Sequence, residues 1–409
     1  DLPTQSWGAG PLVQYMLGWL HERCGETGAA RAAYRRGAAH PPDYCFPSRL
    51  EEIAVLESAA RAEPRDARAP YYLGNLLYDR RRHAEAVRLW ERSAELDPAF
   101  SVVWRNLGLG YFNVGKKPGK ARTAYDRAFA ANPSDARLLY ERDQLWKRTG
   151  RSPARRLAEL EKHRELVRQR DDLAVELCAL YNQTGRHDEA LALLEARQFQ
   201  PWEGGEGQAL GQHVRTHLAL GRRALKAFDA AAARVHFEAA LTSPRNLGEA
   251  KHLLANQSDI HYWLGAALDA LGDRAAAERH WTAAATFRGD FQEMSVREFS
   301  EMTYYSALSL RRLGREAEAN ELLRGLEGYA DGMLRSEAKI DYFATSLPTM
   351  LIFEDDIQER QRVGATLLKA LAKLGRRRKK EGLRLLDEVL RSDPNHAFAK
   401  DVRDEVGGG

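Results

Sequence analysis

His213 and His217 stand four residues apart, on one face of any helix that carries them, which is the geometry of a zinc-binding pair. Between them lies Val214-Arg215-Thr216, without the glutamate base of an H-E-x-x-H site. The pair therefore reads as two hydrogen-bonded or exposed histidines and implies no metal. A second constellation is Trp202-Glu203-Gly204-Gly205-Glu206-Gly207. Its two glutamates are of the type that acts as acid and base on a glycosidic bond, while its glycines equally permit a sharp turn with Trp202 filling a gap. It is not a phosphate loop, because the lysine and the following Ser or Thr are missing and no strand precedes it. Glu354, Asp355 and Asp356 lack the twelve-residue calcium-loop pattern and suit a helix start, where carboxylates complement the helix dipole. Arg170-Asp171-Asp172 reads as a helix boundary in the same way. Cys24, Cys45 and Cys178 have no metal or redox spacing and fit reduced thiols. No residue is assigned a catalytic role, and no cofactor is expected.

The elements around these residues are set by a repeat. Pro64, Pro98 and Pro133 recur at intervals of 34 and 35 residues, each where a helix must stop for want of an N–H. In the unit 67–100, Leu73, Gly74 and Leu77 fall on a first helix, and Ala86 and Trp90 on a second. Gly74 and Ala86 are small where two antiparallel helices touch. The unit 101–135 repeats this with Trp104, Leu107, Gly108, Tyr111, Ala121, Tyr125 and Ala128. Trp104, Leu107, Gly108 and Tyr111 match the W-x2-L-G-x2-Y signature, so the chain resembles the tetratricopeptide repeat (TPR) family. Weaker copies turn at Gly25, Gly150, Gly185, Gly272, Gly314 and Gly375. No β-alternation appears. The expected fold is all-α, a right-handed α-solenoid of TPR-like helical hairpins.

Charge and hydropathy exclude other classes. The chain has 62 basic and 58 acidic residues spread along its length, a net of +4, too balanced for a nucleic-acid partner. No apolar run is long enough to cross a bilayer, so no membrane partner is expected and the location reads as cytoplasmic. The basic run Arg376–Lys380 reads as a solvated turn. The chain starts at Asp1 without Met and reads as a fragment of a longer parent, with Trp7, Tyr15 and Trp19 as an aromatic opening toward an absent part.

Two stretches break the rhythm, 200–207 and 338–358. Together with Asn246-Leu247-Gly248-Glu249 and Tyr342-Phe343-Ala344-Thr345-Ser346-Leu347-Pro348, the Trp202 motif is similar to the C-terminal repeat region of bacterial proteins that carry a domain of unknown function, DUF5107, ahead of their repeats. That resemblance implies a link to sugar-handling β-domains, by association only. Four regions are expected: 1–66, an N-terminal hairpin and linking helix; 67–199, the repeat array; 200–337, degenerate hairpins after the glycine-rich loop; and 338–409, an aromatic and acidic insert with a C-terminal hairpin and cap. In TPR hairpins the first helix lines the concave surface through its second, fifth, ninth and twelfth positions. That register places Arg68, Tyr71, Asn75, Tyr78, Arg105, Phe112, Tyr140, Asp172, Asn182, Tyr262 and Tyr304 in the groove. Tyr71 and Leu109 stand where a clamp for a C-terminal carboxylate needs polar or cationic groups, so that clamp is not expected. Aromatic rings, guanidinium groups and amides suit an extended peptide. The expected function is a non-catalytic scaffold that binds a protein segment or the parent chain's own N-terminal domain. The alternative is the helical part of a carbohydrate-active or carbohydrate-binding protein, with a glycan at Trp202, Glu203 and Glu206.

Overall fold

The computed structural model describes residues 8–202, 204–287, 289–292, 295–339 and 352–407. Trp7, Glu203 and the segment Tyr342–Pro348, each singled out above, lie outside the described residues. The chain is an all-α solenoid of stacked helical hairpins. Its contacts divide it into two compact units, Asp1–Leu145 with Ile352–Glu354, and Trp146–Leu351 with Asp355–Gly409.

The first unit contains α1 (Ala9–Arg23), α2 (Thr27–Ala39), α3 (Glu51–Ala62), α4 (Arg68–Asp79), α5 (His83–Leu96), α6 (Ser101–Leu109), α7 (Pro118–Ala131) and most of α8 (Ala136–Arg148). A π-turn, Gly110–Val114, continues α6. The hairpin crossings follow from residue size. A Cβ on Gly74 would lie 2.5 Å from the Trp90 ring, and one on Gly108 would lie 2.4 Å from Tyr125. A large ring on the second helix thus fills the space left by glycine on the first. Each proline stop is followed by a start: Asp66 accepts hydrogen bonds from the backbone N–H of Arg68 and Ala69, and Asp135 from those of Arg137 and Leu138. These bonds satisfy amides that a helix start leaves open.

The second unit contains α9 (Pro153–Lys162), α10 (Arg164–Val167), α11 (Asp171–Gln183), α12 (His187–Ala196), α13 (Gln208–Lys226), α14 (Ala230–Leu241), α15 (Ser258–Ala270), α16 (Arg274–Thr286), α17 (Met302–Arg312) and α18 (Glu316–Arg335). It ends with α19 (Ile357–Gly375), α20 (Lys379–Ser392) and α21 (Ala397–Gly407). Its central hairpins obey a longer period than 34. His217, Gly221, Asp229, His236 and Phe237 recur 44 residues later as His261, Gly265, Asp273, His280 and Trp281. Gly221 faces Phe237 and Gly265 faces Trp281, as in the first unit. Asp229 and Asp273 each cap the second helix of their hairpin, through Ala232 and Ala276. The added residues lie in the connection between hairpins, which holds a 3₁₀ turn at Arg245–Leu247.

Two details differ from the sequence reading. A short antiparallel ribbon, Asp290–Gln292 with Ser295–Arg297, lies between α16 and α17, and three-residue strands are too short to leave an alternating pattern. The last hairpin does not turn at Gly375, which ends α19. Its left-handed residue is Arg377 at φ 62°, and Arg81, Lys116 and Phe228 occupy the same kind of turn position elsewhere.

Candidate functional site

In the first unit, the ends of α4 and α6 hold a short non-helical piece of chain, Ile352–Glu354, bent at its first two residues. The Asn113 side chain brackets it. Its Nδ2 donates to the Ile352 carbonyl at 2.9 Å, and its Oδ1 accepts from the Glu354 N–H at 2.9 Å. Those two groups flank Phe353, so one side chain satisfies the backbone on both sides of it. Phe353 is 1% exposed. Its ring packs edge-on to Phe112, with centroids 5.3 Å apart, and lies 5.6 Å from Tyr125, over Ala121 and Leu145. Lys116, at the left-handed turn after the π-turn, pairs with Glu354 at 2.5 Å in solvent. Tyr78 lies close by, and burial followed by the Glu354 charge holds its hydroxyl proton more tightly than usual.

The floor of this pocket is fixed by charge. Tyr125 donates to Glu141 at 3.0 Å, and Glu141, fully buried, takes two bonds from Arg105 at 2.6 and 2.8 Å and one from Arg137 at 2.8 Å. Burial acts to raise the Glu141 carboxyl, but the bonds and charges of Arg105 and then Arg137 outweigh it and hold the group below the usual carboxylate range. A buried carboxylate satisfied on both oxygens locks the rings above it in place.

The other sequence candidates have varied surroundings. Arg68 stacks on Phe100 at 3.7 Å and pairs with Asp97 at 3.0 Å, while Tyr71 is buried between Tyr72 and Phe100. Asn75 accepts from Trp90 and from Asn106, tying two hairpins together. Tyr140 is half-buried on α8. Asp172 is held by Arg170 and accepts the Leu173 N–H, and Asn182 bonds Gln212 and Thr216 across to α13. Tyr262 is half-buried 5.7 Å from Tyr305, and Tyr304 is buried 5.1 Å from it. The Trp202 ring lies against Gly205, and Glu206 accepts the Gly204 N–H. Glu249 accepts the Gly207 and Leu210 N–H groups and so caps α13. His213 reaches the Ala239 carbonyl and His217 meets His236. Among the described residues no three His, Cys, Asp or Glu side chains are grouped to hold a metal, and no helix is long and apolar enough to cross a membrane.

The second unit also holds an occupant, the helix α21. Asp401 takes a bidentate pair from Arg215, and Glu405 pairs with Arg222 at 3.2 Å and accepts from the Tyr305 hydroxyl at 2.9 Å. Just before α21, Gln183 donates to the Pro394 carbonyl and Arg156 to Asn395. Asn113, Lys116, Glu141, Arg215 and Arg222 were absent from the sequence candidates. In the second unit Arg215 and Arg222, seven apart on α13, meet Asp401 and Glu405, four apart on α21, and unequal spacings on distant helices leave no signal in the sequence.

No known protein-family profile matches the chain. Among solved structures it is similar to YrrB, a TPR protein with an unusual peptide-binding site, at 16% identity over 55% of this chain and 96% of that one, with a TM-score of 0.34. It is also similar to a tetratricopeptide repeat protein from Parabacteroides merdae, at 13% identity over 74% and 100% of the two chains, TM-score 0.32. A third likeness is to Naa15/Naa10 bound to HypK-THB, at 13% identity over 97% of this chain and 65% of that one, TM-score 0.42. These are likenesses only, with TM-scores of 0.42 and below.

Proposed function

We propose that the chain is a non-catalytic scaffold that binds protein segments on the face formed by the first helices of its hairpins. The observation that carries this reading is the Asn113 bracket around Phe353. An amide that takes one C=O and one N–H on either side of a buried ring reads a peptide backbone and an aromatic side chain together. The pocket is filled by a phenylalanine ring between a peptide carbonyl and a peptide N–H, so the favoured ligand is a short segment of aliphatic, aromatic and acidic residues in that order. Its source is this chain, its longer parent or a separate protein. We assign the parent to the bacterial DUF5107-carrying group on the Trp202, Asn246 and Tyr342 motifs alone, and to the cytoplasm.

The test is a labelled peptide of residues 350–356 added to three full-length proteins. In the Phe353→Ala variant the internal segment is weakened, so the peptide binds; in the parent it competes with its own copy and binds far less. Adding Asn113→Ala to the first variant abolishes binding. A folded Phe353→Ala protein that ignores the peptide, or binding untouched by Asn113→Ala, refutes the reading.

A further inference from the structure

The helix α21 is held differently from the core helices around it. It ends the described chain and is joined to α20 by a short turn around Asp393–His396. Its fully buried apolar side chains are only Ala399 and Val402. Phe398 adds a ring 6.3 Å from Tyr305. Val406 packs, partly buried, against the same core, and the polar ties are Asp401 to Arg215 at 2.7 and 2.8 Å, Glu405 to Arg222 and Tyr305, and the Pro394 carbonyl to Gln183.

The receiving surface is built for an acid. Arg215 is fixed by the Gln183 amide oxygen at 2.6 Å and the Ala179 carbonyl, and its side chain is 9% exposed; that of Arg222 is 14% exposed. Guanidinium groups so far from water are costly without a carboxylate. Gln183, Arg215, Arg222 and Tyr305 come from α11, α13 and α17, each the first helix of its hairpin. The cationic and hydroxyl groups of this surface thus come from helices other than α21, and their charge complements the two acids of α21.

We propose that this surface is a receptor for an acidic amphipathic helix with the spacing aromatic-x-x-acid-x-x-x-acid, carried by a partner protein, and that α21 is its occupant in cis. The partner's helix replaces Phe398, Asp401 and Glu405 with its own three side chains. This site is separate from the Asn113 bracket and takes a ligand of different shape and charge.

The experiment uses the full chain with Asp401→Arg and Glu405→Arg, which sets α21 against Arg215 and Arg222. A labelled peptide of residues 393–407 is the probe. It should bind this variant at least about 30-fold more tightly than the parent, in which the tethered helix competes at an effective concentration near millimolar. The same peptide with Asp401→Asn and Glu405→Gln should bind at least about 10-fold more weakly than the acidic one. Asn113→Ala leaves both results unchanged, which separates this site from the Asn113 bracket. A folded variant that binds neither peptide, or both equally, overturns the proposal. Should the variant lose its helical circular dichroism, the parent decides: excess acidic peptide accelerates hydrogen exchange in α21 saturably, and an unaltered exchange rate overturns the proposal.

Discussion

The two units fill comparable surfaces with opposite kinds of chain. In the first, a non-helical segment leaves backbone N–H and C=O groups unspent, so a single asparagine can read them and an aromatic pocket supplies the rest. In the second, α21 has already used its backbone bonds internally, so recognition passes to side chains, and these are charged. The conformation of the occupant dictates the chemistry of the surface: amide and ring for a non-helical segment, guanidinium and hydroxyl for a helix.

The widest separation between the units should come with acid. Burial, then the charges of His213 and His236, lowers His217 to about 3, and burial with the charge of His280 lowers His261 to about 4. Both are neutral when folded and take up protons when unfolded, so their contribution is lost as pH falls from about 6.5 toward those values. Asp259 runs the other way: burial raises it to about 6, so its effect favours the fold below about 3.8 and fades as pH rises through 6. The histidines prevail on the acid side. Hydrogen exchange should show the second unit losing protection between about pH 6.5 and 4.5, whereas carboxylates such as Glu141 in the first begin to lose theirs only once pH falls into the usual carboxylate range. Equal loss in both units would remove this distinction.

Phe353→Ala comes next. Truncating a buried phenylalanine costs about 3–5 kcal/mol, and here the cost should appear as faster exchange at 352–354 with α21 unaffected. Arg215→Ala is the mirror experiment: it leaves Asp401 poorly compensated and should weaken α21 docking by about 3 kcal/mol, seen as α21 exchange rising with 352–354 unchanged. Cross-effects of comparable size would mean that the two occupied surfaces are not independent. Smallest is Lys116→Ala. Both partners of that pair are well exposed, at 69% and 60%, so it should cost under about 1 kcal/mol and vanish in high salt.

Sequence made the hairpins legible because their determinants are local. Gly74 with Trp90 and Gly108 with Tyr125 fall within one repeat and recur in the next. The period of 44 in the second unit was obscured because its connections lengthened while its crossings stayed intact. At the site, Phe112 was readable from register, but Asn113 was not, since the π-turn Gly110–Val114 widens the helix end and brings the following residue inward. Its ligand lies 239 residues away, beyond any periodic signal. Arg215 was in view only as a residue between the two histidines, beside Val214, which stands where a zinc site would want glutamate. Its purpose depends on Asp401, which no local pattern connects to it.

The short connection before α21 has a kinetic consequence. A helix tethered this way leaves and returns as a first-order event, at rates independent of protein concentration. A partner that needs the vacated surface can bind no faster than that departure, so its observed association rate should rise with partner concentration and then level off at a plateau. The plateau measures how often the chain lets go of α21.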